Sequence, residues 1–144
     1  MADTPDLDAL AALHAKSFIT PRPWSASELA GLLASEHTFL IAPDKRSMAL
    51  GRVIMDEAEL LTIAVAPEAR GQGAGRKALR DYEREARERG AATSFLEVAA
   101  DNHAAITLYH SEGYTESGRR KGYYTAPDGT KITALILTKP LKQA

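Results

Sequence analysis

A glycine-rich segment is the first part of this sequence whose residue types suggest ligand chemistry. It runs Arg70-Gly71-Gln72-Gly73-Ala74-Gly75-Arg76 and leads into a long charged helix. A helix N-terminus has N–H groups without intrahelical partners and the positive end of the helix dipole, so it attracts phosphate. The three glycines lack a Cβ, so a phosphate can contact the backbone directly, and the arginines and Lys77 add positive charge. The segment therefore predicts a pyrophosphate site, although a simple glycine-rich turn has the same composition.

Two other phosphate-binding motifs can be compared with this segment. A P-loop requires Lys and then Ser or Thr after its last glycine, whereas Arg76-Lys77-Ala78 follows Gly75, so that motif is excluded. The dinucleotide fingerprint fits better, because residues 73–78 match its permissive form and Glu97 stands where a ribose-binding acid is expected. However, that fingerprint turns directly from strand to helix, whereas residues 66–72 intervene here. Dinucleotide binding remains the alternative.

Two side chains beyond the segment have the chemistry of a base and an acid. Glu97 is a lone carboxylate at the end of the apolar run Ser94-Phe95-Leu96-Glu97-Val98, where a charge is costly unless it is paired or functional. Tyr109 lies two helical turns after Asn102 on the same face, and its hydroxyl is protonated at neutral pH. Each has a structural interpretation as well: Glu97 could pair with an arginine at a strand edge, and Tyr109 could fill the core.

Several stretches together resemble a known family, the GNAT N-acetyltransferases. The glycine-rich segment resembles their acetyl-CoA loop, Gln/Arg-x-x-Gly-x-Gly/Ala. The match is narrowed by Leu96-Glu97-Val98 with Asn102, by Ala105-Ile106-Thr107-Leu108-Tyr109 with Gly113-Tyr114, and by Pro23-Trp24 and Tyr123-Tyr124. With these last two pairs added, the chain resembles the RimI branch, the ribosomal-protein-alanine N-acetyltransferases. The resemblance is dense from Leu60 to Tyr124.

The resemblance implies a fold and a reaction. The fold is α/β (mixed α+β), with a mixed sheet of about six strands, about four helices, and parallel strands that splay apart at the cofactor site. The reaction is direct acetyl transfer from acetyl-CoA to a primary amine, with no metal. It needs a neutral amine, a stabilised oxyanion and a protonated leaving thiolate. It needs no covalent nucleophile, which is consistent with a sequence that has no cysteine.

The resemblance also assigns roles to residues. It implies that Glu97 is the general base and Tyr109 the general acid, with the Val65 N–H as an oxyanion donor. Asn102 could cap its helix or hydrogen-bond the pantetheine arm, with Asp101 as the alternative cap. The residues expected to bind acetyl-CoA are Ile63, Ala64, Val65, Arg70, Gly71, Gln72, Gly73, Ala74, Gly75, Arg76, Asn102 and Tyr109. The residues expected near the acceptor are Trp24, Tyr123 and Tyr124, and Trp24 could also be a core anchor.

The elements that must position these residues follow from hydrophobic periodicity and turn chemistry. A helix with Leu7, Leu10, Ala11, His14 and Phe18 on one face comes first, and a second helix begins at a Ser25/Glu28 capping box. Strands are expected at 38–42, 47–55 and 60–65 as an antiparallel meander, at 94–98 parallel to the third, and at 115–123 and 131–137. The helix at 73–89 should carry Glu83–Arg87 and Glu85–Arg89 pairs on a solvated face and end at Gly90.

Length and composition limit the class of protein. The 144 residues, 44% of them hydrophobic, predict a single globular domain over residues 1–144. A net charge of −1 gives no indication of a nucleic-acid or membrane partner. No apolar run is long enough to span a membrane, and the acidic N-terminus is unlike a signal peptide, so we expect a cytoplasmic protein. The four histidines are scattered, which argues against a metal site.

The acceptor amine is the part of the function that the sequence leaves open. An α-amine is neutral at pH 7 far more often than a lysine amine, because its pKa is about 8 rather than about 10.4. Ala99 stands where the RimI branch commonly has arginine, and Thr130-Lys131 replaces an acidic pair. We therefore expect acetylation of a protein N-terminus, such as that of a ribosomal protein. The alternatives are a small-molecule amine and a non-catalytic acyl-CoA or dinucleotide module.

Overall fold

A six-stranded mixed sheet forms the centre of the computed structural model, which describes residues 7–9, 11–12, 25–44, 46–69 and 71–141. The strands are β1 (Thr38–Asp44), β2 (Ser47–Ile54), β3 (Glu57–Val65), β4 (Thr93–Ala99), β5 (Thr115–Thr125) and β6 (Lys131–Pro140). Their order in the sheet is β1-β2-β3-β4-β6-β5. The predicted α/β class and strand number are confirmed.

Three complete helices pack on this sheet: α1 (Ala26–Leu33), α2 (Ala74–Glu88) and α3 (His103–Ser111). Residues 7–9 and 11–12 are also helical, whereas Leu10, His14 and Phe18 of the predicted first helix lie outside the described residues. Both hydrogen bonds of the predicted capping box are present, at 3.1 and 3.2 Å between Ser25 and Glu28. Within the described ranges, no helix has the length and apolar character needed to cross a membrane.

The strand pairing confirms the predicted meander and crossover. Strands β1, β2 and β3 pair antiparallel, and β3 pairs parallel with β4 after the crossover through α2. Strands β5 and β6 form an antiparallel hairpin, and β6 lies between β4 and β5. This insertion places the Glu97 end of β4 beside β6, with β5 as the next strand outward.

The two faces of the sheet have separate hydrophobic clusters. One cluster joins Leu96 and Val98 of β4 to α2, and Tyr109 of α3 belongs to it, so we call this the α2/α3 face. The other joins Leu29 of α1 to Met48 of β2, and we call this the α1 face. Side chains alternate along a strand, so Glu97, between Leu96 and Val98, points to the α1 face.

A buried chain of hydrogen bonds connects α2, β4 and β6 on the α2/α3 face. Tyr114 donates to Oε2 of Glu83 at 2.9 Å, because a carboxylate only accepts. Ser94 must then donate to Tyr114 at 2.9 Å, and Tyr82 to Ser94 at 2.8 Å. Lys139 Nζ completes the chain by contacting both Glu83 oxygens, at 2.9 and 3.1 Å. The donor and the acceptor of each hydrogen bond in this network are therefore fixed.

This network corrects one sequence-based expectation. Glu83 is only 3% exposed and pairs with Lys139, so the predicted Glu83–Arg87 pair on a solvated face is wrong. The second predicted pair, Glu85–Arg89, is confirmed at 2.9 Å. Local spacing cannot identify a partner 56 positions away, and that distant partner removes Glu83 from the solvated face.

We expect Tyr114→Phe to lower the free energy of unfolding by about 2 kcal/mol, since it removes a donor to a buried carboxylate and an acceptor for Ser94. For a chain of this size, the corresponding loss in melting temperature is about 6 °C. A thermal melt by circular dichroism measures it. Tyr123→Phe is the matched control, because Tyr123 is an exposed tyrosine and the change should leave the melt unaltered. Equal melting of the two variants would contradict a stabilising network.

Candidate active site

The sheet opens between β3 and β4. Their parallel pairing runs from Glu57↔Thr93 to Leu60↔Leu96, and among the described residues it ends there. At the same position Leu61 is an extra residue in β3, because Gly51 pairs with Leu60 and the preceding β2 residue pairs with Thr62. A bulge bends the strand that contains it, which here turns the end of β3 away from β4. The structure thus has the predicted splay.

The end of β3 presents backbone groups to this opening. The Ala66 N–H donates to the Arg46 carbonyl at 2.7 Å, which fixes the alternation of hydrogen-bonded pairs along β2 and β3. In that alternation Ala64 is bonded toward β2, whereas the backbone groups of Ile63 and Val65 point away from β2 and toward the opening. A ligand arm lying in the opening would run along Ile63 and Val65.

The glycine-rich segment lies at the start of α2. Gly71 and Gly73 have φ of 79° and 80°, a left-handed conformation that favours glycine, and Gly73 is the N-cap of α2. Apart from its two chain neighbours, no atom of a described residue lies within 4 Å of the position where a Gly73 Cβ would be. At Gly75 a Cβ would instead contact Leu108 of α3 at 3.4 Å and Val65 at 3.5 Å. The segment therefore joins the end of β3, the start of α2 and the helix that carries Tyr109.

The positive charges predicted around this segment are partly neutralised within the protein. Arg76 contacts a Glu112 carboxylate oxygen at 2.5 Å and donates to Ser111 at 3.0 Å. Arg80 donates to the same carboxylate at 2.6 and 3.1 Å. Hydrogen bonds from Arg80 and then Arg76 lower the pKa of Glu112, which stays ionised. These bonds tie α2 to the end of α3. Arg70, the other predicted arginine, lies outside the described residues.

Glu97 lies where β4 borders the opening, on the α1 face. Its side chain is 25% exposed, and its Oε1 lies 3.4 Å from Nη2 of Arg120 on β5. Tyr124 lies nearby and is half-buried. Burial, followed by the negative charge of Glu97, raises the pKa of Tyr124 to about 12. Its phenol therefore remains a hydrogen-bond donor at neutral pH. The arginine pairing that the sequence offered as a structural interpretation of Glu97 is present, and it leaves the carboxylate accessible.

Tyr109 lies on the α2/α3 face, opposite Glu97. Its ring packs edge-on against Tyr114, with centroids 5.8 Å apart. The side chain is 5% exposed, and burial raises the pKa of its hydroxyl. No described residue hydrogen-bonds to this hydroxyl, yet no fully buried side-chain oxygen in the described chain lacks a partner. The Tyr109 hydroxyl is therefore a protonated donor at neutral pH.

Asn102 caps α3, as one of its two interpretations predicted. Its Oδ1 accepts from the Ala105 N–H at 3.2 Å, whereas Asp101 is exposed and does not form the cap. The Asn102 amide nitrogen is not used by the cap and keeps its two donors. Within the described ranges, no three His, Asp or Glu side chains are grouped closely enough to hold a metal ion.

An aromatic and basic group adjoins Glu97 on β5. Arg120 lies over the Tyr123 ring, 5.0 Å from its centroid, and Tyr123 packs edge-on against Tyr124. From Arg120 to Tyr124, β5 advances four positions while its partner β6 advances two, so β5 has two extra residues here. Gly122, with φ of 60°, allows this bulge. Trp24, the third residue predicted near the acceptor, lies outside the described residues.

Comparison with known proteins identifies the family. A model of the acetyltransferase (GNAT) family matches residues 8–114. The chain belongs to the GNAT acetyltransferase family. GNAT enzymes take their acetyl group from acetyl-CoA, and this chain is an acetyl-CoA-dependent N-acetyltransferase.

The chain is similar, over most of its length, to N-acetyltransferases that have been named. The [ribosomal protein bS18]-alanine N-acetyltransferase of Escherichia coli K12 is 37% identical over 96% of this chain and 94% of its own length. The N-alpha-acetyltransferase RimI of Mycobacterium tuberculosis is 34% identical over 83% of this chain and 78% of its own. The crystal structure of the Escherichia coli ribosomal-protein-S18-alanine enzyme superposes with a TM-score of 0.85 at 35% identity, covering 99% of this chain and 92% of that one.

Sequence reasoning missed two features of this GNAT site. It did not single out Arg120, although an arginine partner for Glu97 was anticipated, because Arg120 lies on β5, two strands away from β4 in the sheet. It also did not anticipate that Arg76 would be bound by Glu112, which is 36 positions away. Each pairing depends on which elements become neighbours in the sheet or on its face.

Proposed function

We propose that this chain transfers the acetyl group of acetyl-CoA directly to the N-terminal α-amine of a protein, with a ribosomal protein as the candidate acceptor. The observation that carries the proposal is that Glu97 borders the separation of β3 and β4 on one face of the sheet, whereas Tyr109 lies on the other face. A base on one side and an acid on the other suit a carbonyl held between them. The names of the relatives support the choice of acceptor.

The residues on the α2/α3 face would hold acetyl-CoA. The left-handed glycines at 71 and 73 leave room for a pyrophosphate at the start of α2, where N–H groups and the helix dipole attract it. Ile63 and Val65 would contact the pantetheine arm through their backbone, and the Asn102 amide could donate to it. Acetyl-CoA supplies an acetyl thioester, whose carbonyl carbon accepts the amine and whose sulfur is the leaving group.

Proton transfers by two side chains would complete the reaction. Glu97 accepts a proton from the attacking amine, on the α1 face. The Tyr109 hydroxyl donates a proton to the departing thiolate sulfur, on the α2/α3 face. The new C–N bond replaces the broken C–S bond, and no covalent enzyme intermediate is required. The Tyr109 hydroxyl is protonated at neutral pH, so it carries a proton when the thiolate forms.

An acceptor panel tests the function. The protein is incubated with acetyl-CoA and a peptide that begins with alanine, the same peptide with a blocked N-terminus and an internal lysine, and a set of polyamines and aminoglycosides. We expect acetylation of the free α-amine and about 10²-fold less of the lysine, because the lysine amine is seldom neutral. Preference for a polyamine or aminoglycoside would favour the small-molecule alternative.

We expect Gly73→Val to weaken acetyl-CoA binding about 10-fold, because the branched side chain would occupy the phosphate position and strain a residue with φ of 80°. Isothermal titration calorimetry measures the affinity. Gly90→Val is the matched control, since Gly90 has φ of 95°, has no atoms near its Cβ position and lies at the other end of α2. Unchanged affinity in Gly73→Val, or binding of NAD in place of acetyl-CoA, would contradict the phosphate assignment.

A further inference from the structure

Arg120 contacts the candidate base but is only weakly held by it. The separation of 3.4 Å from Glu97 exceeds the roughly 2.7–2.9 Å typical of a charge-assisted hydrogen bond. The Arg120 side chain is 51% exposed. The guanidinium carbon lies 5.0 Å from the centre of the Tyr123 ring, and a guanidinium placed over an aromatic ring keeps N–H donors at its edge. A second acceptor atom can therefore bind Arg120 at the Glu97 site.

The spacing of Glu97 and Arg120 matches a specific chemical group. Standard bond lengths place the nitrogen of an α-amine about 3 Å from the oxygen of the carbonyl on the same α-carbon. The Glu97 oxygen and the Arg120 nitrogen lie 3.4 Å apart, one an acceptor for an amine N–H and the other a donor for a carbonyl. We propose that Glu97 and Arg120 together recognise an α-aminoacyl group, with the amine on Glu97 and the carbonyl oxygen on Arg120.

This inference rests on the proposed acetylation of an amine at Glu97, and it defines the acceptor class more narrowly. An N-terminal residue of a peptide has both groups, and so does an amino-acid amide. A lysine side chain, a polyamine or a simple alkylamine lacks the carbonyl. When an α-aminoacyl group binds, its carbonyl oxygen takes up Arg120 donors and the Glu97 carboxylate turns to the amine. An amine without the carbonyl has no group for Arg120 to bind.

The register of β5, β6 and β4 supports this assignment. It places Arg120 and Tyr124 on the same face as Glu97, while Arg119 is held by Glu116 at 2.9 and 3.0 Å. Arg120 and Arg119 are thus adjacent arginines in one strand with different partners. Replacing Arg119 therefore controls for the loss of a positive charge and for a change within β5.

Three acceptors and three variants test the inference. The acceptors are an alanine-starting peptide, L-alaninamide, and isopropylamine, in which a methyl group replaces the carboxamide. The variants are Arg120→Met, Arg120→Lys and the control Arg119→Met, with folding checked by thermal melts. The ratio of variant to wild-type kcat/KM is taken for each acceptor at pH 9, so that differences in amine pKa cancel.

We expect Arg120→Met to lower kcat/KM about 10-fold or more for the peptide and for L-alaninamide, through loss of a charged hydrogen bond. Isopropylamine should stay within about 2-fold of wild type, since it has no carbonyl for Arg120. Arg120→Lys should recover part of the loss, and Arg119→Met should match wild type on all three acceptors.

Two results of the variant kinetics would overturn the inference alone. Equal losses on L-alaninamide and isopropylamine would mean that Arg120 acts only through Glu97, and unchanged rates on L-alaninamide would mean that Arg120 does not contact the carbonyl. Selective acetylation of L-alaninamide without acetylation of the peptide would uphold the inference and reject a protein acceptor. No transfer to any of the three amines would reject both the inference and the proposed function.

Discussion

Glu97→Gln is expected to lower kcat about 10²-fold while the KM for acetyl-CoA changes little. Glutamine keeps the shape of the side chain but cannot accept a proton, so the loss should appear in turnover. Acetyl-CoA would bind on the α2/α3 face, whereas Glu97 lies on the α1 face, which is why its affinity should be preserved. Steady-state kinetics at saturating peptide measure both constants.

Asp101→Asn is the matched control for this change. Asp101 is an exposed carboxylate four residues further along the chain, and the structure gives the helix cap to Asn102. Its neutralisation should leave turnover at the wild-type value. A Glu97→Gln variant that turns over as fast as Asp101→Asn at saturating amine would show that water or another group is the base.

Tyr109→Phe is expected to lower kcat about 10²-fold while the melting temperature stays within about 1 °C. The ring still packs on Tyr114, and the hydroxyl has no hydrogen bond to a described residue that could be lost. A more activated thioester, whose thiolate leaves without a proton, should show a much smaller loss. The test measures turnover with acetyl-CoA and with the activated thioester, together with a thermal melt of the wild type and of the variant.

Equal losses on both donors, or a large fall in melting temperature, would return Tyr109 to a structural role. The pH profile gives a second check. Burial raises the pKa of Tyr109 above the ordinary phenol value of about 10, so the acid stays protonated as pH rises. In the wild type, kcat/KM should rise with deprotonation of the amine near pH 8 and should not fall again below about pH 10. A falling limb near pH 9 that is absent in Tyr109→Phe would contradict the buried acid.

Local patterns predicted most of the elements of this fold. The capping box at Ser25, the meander and the crossover helix all depend on residues close in sequence, and each is present. The insertion of β6 between β4 and β5 has no comparable local signal, because it depends on packing across the whole sheet. Glu83 shows the same limit: its i,i+4 spacing indicated a surface pair, whereas Lys139 and Tyr114 bury it.

The residues of the candidate site also separate into those with a local sequence signal and those whose position depends on the whole sheet. The glycines and Glu97 were recognisable because each is unusual in its local context, either for backbone freedom or for charge within an apolar strand. The pairing of Glu97 with Arg120 required β6 to lie between β4 and β5 and to bring Arg120 beside Ala134. The sequence could predict that Glu97 needs a partner, but only the arrangement of the sheet selects one.

The opening between β3 and β4 has a consequence for the kinetic order of the reaction. Glu97 and Tyr109 lie on opposite faces of the sheet, so under the proposed mechanism each substrate would reach the opening from its own face. Both must be present together, so a double-reciprocal plot should show intersecting lines. The acetylated product and the free thiol would then leave from different faces, neither blocking the other. A bisubstrate inhibitor that joins the two would pass through the sheet, and both of its ends would have to be released before it could dissociate.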